Sequence, residues 1–141
     1  MNGNKLAIVV GVSGSEASAA ALRWAADEAR RRHATLRVVR SWDAEFTAPY
    51  AAGRHLTRGQ QREAARAELS AQVRTALGSP CPAGVAAELA EGLAERTLVD
   101  RSAGAALLVL GSASPAAGTG RSIGPVVRAC LRHAQCPVVV A

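Results

Sequence analysis

The stretch LAIVVGVSGSE, residues 6–16, decides the fold of this chain. Its first seven residues are nearly all apolar, which is typical of a strand buried on both faces of a parallel sheet. The Gly and Ser residues that follow predict a turn, and residues 13–16 supply an N-cap and an early acidic residue for a helix. That helix is expected to run to about His33. Four of its residues share one apolar stripe: Leu22, Ala25, Ala26 and Ala29.

The rest of the chain repeats this alternation of strand and helix. Further strands are expected at about 35–42, 85–89, 105–112 and 136–141, and further helices at about 57–77, 92–103 and 125–133. This order predicts parallel pairing through right-handed crossovers. No repeat or linker interrupts the chain, so residues 1–141 are expected to form a single domain. Residues 43–55 show no obvious structure, and loops of that length often serve as lids or partner surfaces.

Composition and charge narrow the function classes. The chain has 141 residues, of which 49% are hydrophobic, which suits one globular domain with a core. Its formal net charge of +6 raises the question of a nucleic-acid partner. The arginines are scattered, however, and the three at 30–32 complement the dipole at a helix C-terminus. No aromatic residues lie among them to stack on bases, so nucleic-acid binding is not expected.

The cysteine and histidine pattern predicts no catalytic centre. Cys81, Cys130 and Cys136 form no CxxC or zinc spacing, and we expect Cys130 and Cys136 to behave as small buried hydrophobic residues. No Ser/His/Asp or Cys/His set, general base or metal set is recognisable, so an enzyme is not expected, although weak ATP hydrolysis stays open. With no signal peptide and no apolar stretch of membrane-spanning length, we expect a cytoplasmic protein without membrane contact.

Several stretches together resemble the universal stress protein family. Residues 8–16 (IVVGVSGSE) resemble its opening strand and turn, hydrophobic-V-G-V-D-G-S, and residues 108–112 (LVLGS) resemble its fourth strand and glycine loop. Residues 131–140 (LRHAQCPVVV) resemble its closing R-H-A-x-C-P-V stretch, and residues 21–29 and 38–42 its first helix and second strand. The resemblance implies a doubly wound, Rossmann-like α/β fold with a five-stranded parallel sheet of order 3-2-1-4-5, helices on both faces, and usually a dimer.

ATP-binding members of the family carry the loop G-x-x-G-(nine residues)-G-(S or T) after the fourth strand. Glycines let backbone N–H groups approach the phosphates, and the last pair lies at a helix N-terminus, where the dipole favours anions. Here the four positions are Gly111, Ser114, Gly124 and Pro125, so the spacing is kept and two residues differ. Ser114 adds a side chain, and Pro125 has neither a hydroxyl nor an N–H.

A third departure is Ser13, where ATP-binding relatives carry aspartate. Ser13 also fits a turn or cap, and Pro125 also fits the first turn of any helix. Arg121 is either a replacement phosphate ligand or a solvated loop residue. The resemblance implies these cofactor-contacting positions: Val12, Ser13, Val39, Leu110, Gly111, Ala113, Ser114, Arg121, Gly124, Pro125 and Val126.

These departures predict a stress-response regulatory or interaction module, dimeric, with an unknown protein partner and weak or absent ATP binding. The alternative is a nucleotide-binding member that takes ATP with magnesium, or AMP, through the altered loop. A third reading is an enzyme with its own chemistry, such as an ATP-cleaving member or an electron-transfer-flavoprotein-like relative.

The last strand predicts how the dimer forms. Val138, Val139 and Val140 carry no charge and no bulge, and apolar edge strands invite pairing with another chain. Pro137 is tolerable at the first strand position. We expect this strand to pair antiparallel with its own copy, so that proline at Val139 would remove a donor from both copies.

Overall fold

The computed structural model describes residues 6–13, 16–43, 50–51, 54–111 and 124–141. The strands are β1 (Ala7–Gly11), β2 (Thr35–Trp42), β3 (Tyr50–Ala51), β4 (Arg54–His55), β5 (Val85–Glu91), β6 (Leu107–Leu110) and β7 (Val138–Val140). The helices are α1 (Glu16–Arg32), α2 (Arg58–Leu77), α3 (Ala94–Ser102) and α4 (Pro125–His133). Strands β5-β2-β1-β6-β7 form one sheet in that order, and every pair in it is parallel. The order expected from the resemblance is confirmed.

The core lies on both faces of β1. Ile8 and Val10 pack with α1 and α2 residues on one face, and Val9 packs with α3 and α4 residues on the other. All three side chains are at most 1% exposed. The stripe expected on α1 is buried at Leu22, Ala25 and Ala29, whereas Ala26 is only partly buried. Because so many of these side chains are alanines, burial depends on close approach of helix and sheet.

Several predicted boundaries differ from the observed ones. β5 extends to Glu91, beyond the expected end at residue 89, because its pairing with β2 continues up to Trp42. α3 begins at Ala94 rather than Gly92, since Gly92 has a φ of 135°, which no helix accepts. β6 and β7 are shorter than expected, and the turn proposed at residues 14–15 lies outside the described residues.

The segment expected to lack structure contains strands. β3 and β4 pair antiparallel within residues 43–55, with Tyr50 opposite His55. The prediction of an unstructured loop was therefore wrong for these four residues, and the other loop residues, except Asp43, lie outside the described ranges. The pair is too short to show an alternating pattern that sequence analysis could recognise.

Ion pairs fix α3 against the outer strand β5. Arg101 on α3 donates from Nε to Glu88 Oε1 at 3.1 Å and from Nη2 to Glu88 Oε2 at 2.5 Å. Arg37 on β2 lies 3.4 Å from the same carboxylate. The hydrogen bonds from Arg101 hold the pKa of Glu88 below its usual value. This contact matters for the site, because the other end of α3 reaches the carboxyl edge of the sheet.

Ser102 ties the closing stretch to the end of α3. Its side chain is fully buried, and its hydroxyl donates to the Val99 carbonyl at 2.6 Å. The same oxygen accepts the N–H of Gln135 at 2.9 Å. Gln135 precedes β7, so this one hydroxyl helps set where the edge strand begins.

We predict that Ser102→Ala lowers the free energy of unfolding by about 1–3 kcal/mol, because it removes the buried hydroxyl that bonds both the Val99 carbonyl and the Gln135 N–H. Urea unfolding followed by tryptophan fluorescence measures the change. Ser70→Ala is the matched control, since Ser70 is exposed on α2 and should shift the midpoint little. Equal midpoints for the two variants would contradict the role given to Ser102.

Candidate functional site

A cleft of about 230 Å³ opens at the carboxyl ends of β1 and β6. The chain leaves β1 toward β2 and leaves β6 toward β7, so the strand order diverges between them. Such a switch point is where open α/β sheets bind ligands. The cleft is lined by Gly11, Val12, Ser13, Ser18, Val39, Ser41, Ala94, Leu98, Leu110, Gly111, Gly124, Pro125, Val126 and Val127.

Most of the residues that the sequence pointed to meet in this cleft. Those that line it are Val12, Ser13, Val39, Leu110, Gly111, Gly124, Pro125 and Val126. The remaining positions, Ala113, Ser114 and Arg121, lie outside the described residues. The positions taken from the resemblance did not include Gly11, Ser18, Ser41, Ala94, Leu98 and Val127. Ala94 and Leu98 come from α3, whose placement over the sheet is a tertiary feature without a local sequence signal.

Gly111 has a packing reason to be glycine. A Cβ built on it would lie 2.6 Å from the carbonyl oxygen of Ala17, in the first turn of α1. No side chain fits there without moving backbone, whether or not a phosphate is present. At the end of β1, Gly11 is restricted by a side chain instead, since its Cβ would meet Leu98 Cδ1 at 2.7 Å. The glycine that opens the loop is therefore required by the fold itself.

Ser13 belongs to a hydroxyl network that closes the start of α1. Its N–H donates to Ser18 Oγ at 2.7 Å, and the two hydroxyl oxygens are 3.1 Å apart. Ser18 is 5% exposed, and the Gln72 side-chain amide donates to the Ser13 carbonyl. These hydrogen bonds support the interpretation of Ser13 as a turn or cap residue. An aspartate here would bring a charge beside the buried Ser18 hydroxyl, from a position that is itself exposed.

The first turn of α4 faces the cleft with a reduced set of donors. Gly124 is the N-cap without a side-chain hydrogen bond, and Pro125 is the first helical residue. The first intrahelical bond runs from the Arg128 N–H to the Gly124 carbonyl at 3.0 Å. The N–H groups of Val126 and Val127 therefore have no acceptor within the helix. They remain able to bind an anion, whereas Pro125 contributes neither an N–H nor a hydroxyl.

A wider depression of about 510 Å³ adjoins the cleft and shares Ser41 and Ala94 with it. Asp43 and Glu95 also line this depression. The Glu95 carboxylate beside the cleft raises the free-energy cost of bringing in a ligand with several negative charges. The described walls of the site are thus apolar and hydroxyl-bearing, with acidic groups at one end.

The described residues offer no reactive side-chain set. Burial raises the pKa of the Cys130 thiol to about 11, and burial also raises the pKa of the Cys136 thiol. A thiol in that state is a poor nucleophile at neutral pH. No group of three His, Cys, Asp or Glu side chains is arranged for a metal ion within the described ranges. In the same ranges, every helix is too short or too polar to span a membrane.

We predict that Gly111→Ala destabilises the protein by about 1–3 kcal/mol, because its Cβ would collide with the Ala17 backbone. Chemical unfolding of the ligand-free protein measures this effect. Gly59→Ala is the control, since nothing lies within contact there closer than Thr57 Oγ1 at 4.0 Å, and alanine in a helix should stabilise by about 0.5–1 kcal/mol. Unchanged stability of Gly111→Ala would leave ligand contact as the reason for this glycine.

The comparisons with known proteins agree with this architecture. The family model described as "Universal stress protein family" matches residues 6–141. The universal stress protein Rv2623 of Mycobacterium tuberculosis (strain H37Rv) is 34% identical over 151 residues, covering 97% of this chain and 48% of that protein. The chain thus spans about half the length of the curated relatives it matches.

Two solved structures extend the comparison. A universal stress protein from Archaeoglobus fulgidus is 25% identical and has a TM-score of 0.75. The match covers 97% of this chain and 98% of that protein. A universal stress protein from Archaeoglobus fulgidus in complex with dAMP is also 25% identical, with a TM-score of 0.68 and 96% coverage of both chains. On the match of the family model and of the curated relatives, this chain belongs to the universal stress protein family.

Proposed function

We propose that this chain is a cytoplasmic regulatory or interaction module of the stress response that binds adenine nucleotides weakly and assembles as a two-fold dimer. The observation that carries the weak binding is Pro125 at the first position of α4, in the wall of the cleft. It removes two donors from the place where a phosphate would meet the helix.

The part of the cleft that would contact the nucleoside of a nucleotide keeps most of its binding surface. Val12, Val39 and Leu110 supply apolar walls against which a base can pack, and all three are at most 8% exposed. The hydroxyls of Ser13 and Ser41 supply polar contacts at the same level. The related protein solved with dAMP supports a small adenine nucleotide as the ligand class.

The phosphate end favours one phosphate over three. The N–H groups of Val126 and Val127 suit a single phosphate at the start of α4. Pro125 has no hydroxyl to offer the magnesium ion that accompanies ATP, and the carboxylate of Glu95 opposes further negative charge. AMP or dAMP should therefore bind at least as well as ATP.

We predict that the unmodified protein binds Mg-ATP with a dissociation constant above about 100 µM, measured by calorimetric titration of nucleotide-free protein. Losing two or three charge-assisted hydrogen bonds at about 1.5–3 kcal/mol each weakens binding by two or more orders of magnitude. The combined change Ser13→Asp, Ser114→Gly and Pro125→Ser should recover much of that loss.

The control for this series is Pro82→Ser, which changes an exposed proline at the other end of the sheet. It should leave the titration unchanged. Micromolar affinity of the unmodified protein for ATP would contradict the proposal, and so would a clear preference for ATP over AMP.

The proposed dimer uses the open edge of the sheet. β7 is the last strand in the sheet order, and it pairs only with β6 among the described strands. Val138 and Val139 are partly buried, and Val140 is 43% exposed. Antiparallel pairing of β7 with its own copy would cover this edge.

The register of β7 decides which residues can pair outward. The Leu108 N–H donates to the Pro137 carbonyl, and the Ala141 N–H donates to the Leu110 carbonyl. Backbone groups of alternate residues face opposite sides of a strand, so Val139 also faces β6, and Val138 and Val140 face the open edge. The expectation that proline at Val139 would remove an edge donor was therefore wrong, because it would break a bond inside the sheet.

We predict that Val140→Pro weakens the dimer, because it removes an outward N–H from each of the two copies. Light scattering between micromolar and millimolar protein measures the dissociation. Val140→Thr keeps the N–H and a β-branched side chain, so it should remain dimeric. Val139→Pro should instead lower the unfolding midpoint. A wild-type protein that is monomeric throughout the range would refute this mode of assembly.

A further inference from the structure

A second cavity lies at the opposite end of the sheet from the cleft. Its volume is about 350 Å³, larger than that of the cleft at the carboxyl edge. It sits where β2 and β5 begin, between the C-terminal halves of α1 and α2. The cavity is lined by Arg23, Ala26, Asp27, Ala29, Arg30, Ala34, Leu36, Ala76, Leu77, Pro82, Ala83, Gly84 and Val85.

The floor of this cavity is apolar. Ala29 and Leu36 are at most 4% exposed, and Leu77 and Val85 pack against the same core cluster. Ala26 and Ala76 face each other from the two helices with side chains too small to close the gap between them. The space is thus a product of the alanine-rich sequence, and its volume falls in the range of about 300–1,000 Å³ that is usual for small-molecule sites.

The charges are confined to one wall. Asp27 and Arg30 pair with each other at 2.7 Å, so they cancel at the rim. Arg23 forms no ion pair with any residue in the described part of the chain. The opposite wall, formed by Ala76, Leu77 and residues 82–85, carries no charged side chain. The rim therefore has one uncompensated positive charge above an apolar floor.

We propose that this cavity binds an amphipathic carboxylate, an acyl chain of medium length that ends in one carboxylate. The chain would cover Ala29, Leu36 and Val85, and the carboxylate would pair with the guanidinium of Arg23. This site is separate from the proposed nucleotide cleft and does not depend on it.

The charge balance selects a single negative charge. α1 and α2 both end at this side of the sheet, and the C-terminal end of a helix disfavours anions. Of the two arginines that line the cavity, Arg30 is already paired with Asp27, so a phosphate with two charges would have one unpaired guanidinium, that of Arg23, to bind. A neutral chain would leave Arg23 without a partner, and a cation would meet the same guanidinium. An apolar chain with one carboxylate can pack on the apolar floor and pair with Arg23 at the rim.

The proposal is tested by calorimetric titration of the full chain with octanoate, decanoate and 1-decanol. Each additional buried CH₂ is worth about a fourfold gain, so decanoate should bind about fifteenfold more tightly than octanoate. Decanoate should also bind about threefold more tightly than 1-decanol, because the alcohol forms no charged contact with the exposed Arg23. Equal affinity for decanoate and 1-decanol overturns the role of Arg23, and absence of binding overturns the site.

Variants locate the ligand. Arg23→Gln should weaken decanoate binding about threefold and leave 1-decanol binding unchanged, and Asp27→Asn should strengthen decanoate binding because it releases Arg30. Arg128→Gln is the matched control: it removes an exposed arginine from α4, on the other face of the sheet, and should have no effect. If Arg128→Gln weakens decanoate binding as much as Arg23→Gln does, the affinity depends only on the net charge of the protein and the proposal fails.

Filling the cavity gives an independent test. Ala76→Phe should abolish decanoate binding while circular dichroism shows a folded protein, and Ala26→Leu is the milder alternative if the phenylalanine variant does not fold. Saturating dAMP should leave decanoate binding unchanged. Displacement by dAMP would place the ligand in the carboxyl-edge cleft and overturn the proposal, whereas failure of dAMP to bind at all bears only on the nucleotide site.

Discussion

The structure depends on the burial of β1 on both of its faces. Ile8, Val9 and Val10 are almost completely inaccessible to solvent, and the strand has β2 on one side and β6 on the other. A strand in that position needs helices above and below it, because either face left open would expose an unbroken apolar surface. The pairs α1 with α2 and α3 with α4 meet this requirement. Because the crossovers are right-handed, helices on opposite faces carry the chain in opposite directions from β1. The strand order therefore diverges between β1 and β6, and the cleft lies at that point.

Small side chains determine how the layers meet and where they leave space. Gly111 lets the end of β6 approach the Ala17 carbonyl so closely that even a methyl group would not fit. The same preference for alanine leaves a gap between the C-terminal halves of α1 and α2, where neither Ala26 nor Ala76 reaches across. The close approach at Gly111 and the gap between α1 and α2 therefore both follow from the small side chains of this sequence.

Sequence patterns predicted the strands and helices themselves, because these are encoded locally, whereas the strand order and the cleft positions followed from the resemblance to the family. Buried strands show as apolar runs, and the loop spacing from Gly111 to Gly124 survives in the sequence. The reason why a given position must be glycine, and the contacts between residues far apart in the chain, have no such local signal. The sequence around Gly111 does not predict its contact with Ala17, and the sequence around Leu98 does not predict its contact with Gly11. The outward direction of Val138 and Val140 likewise follows only from the register with β6.

The departures from the nucleotide-binding pattern are also changes that suit the fold without a ligand. Pro125 has its backbone angle fixed for the first turn of α4, and its missing N–H is one that no helix would satisfy there. Ser13 joins the buried Ser18 in a hydroxyl pair that closes the start of α1. In an ATP-binding site, each position would be optimised for a charge that arrives from outside. In this chain both positions are satisfied by contacts within the fold.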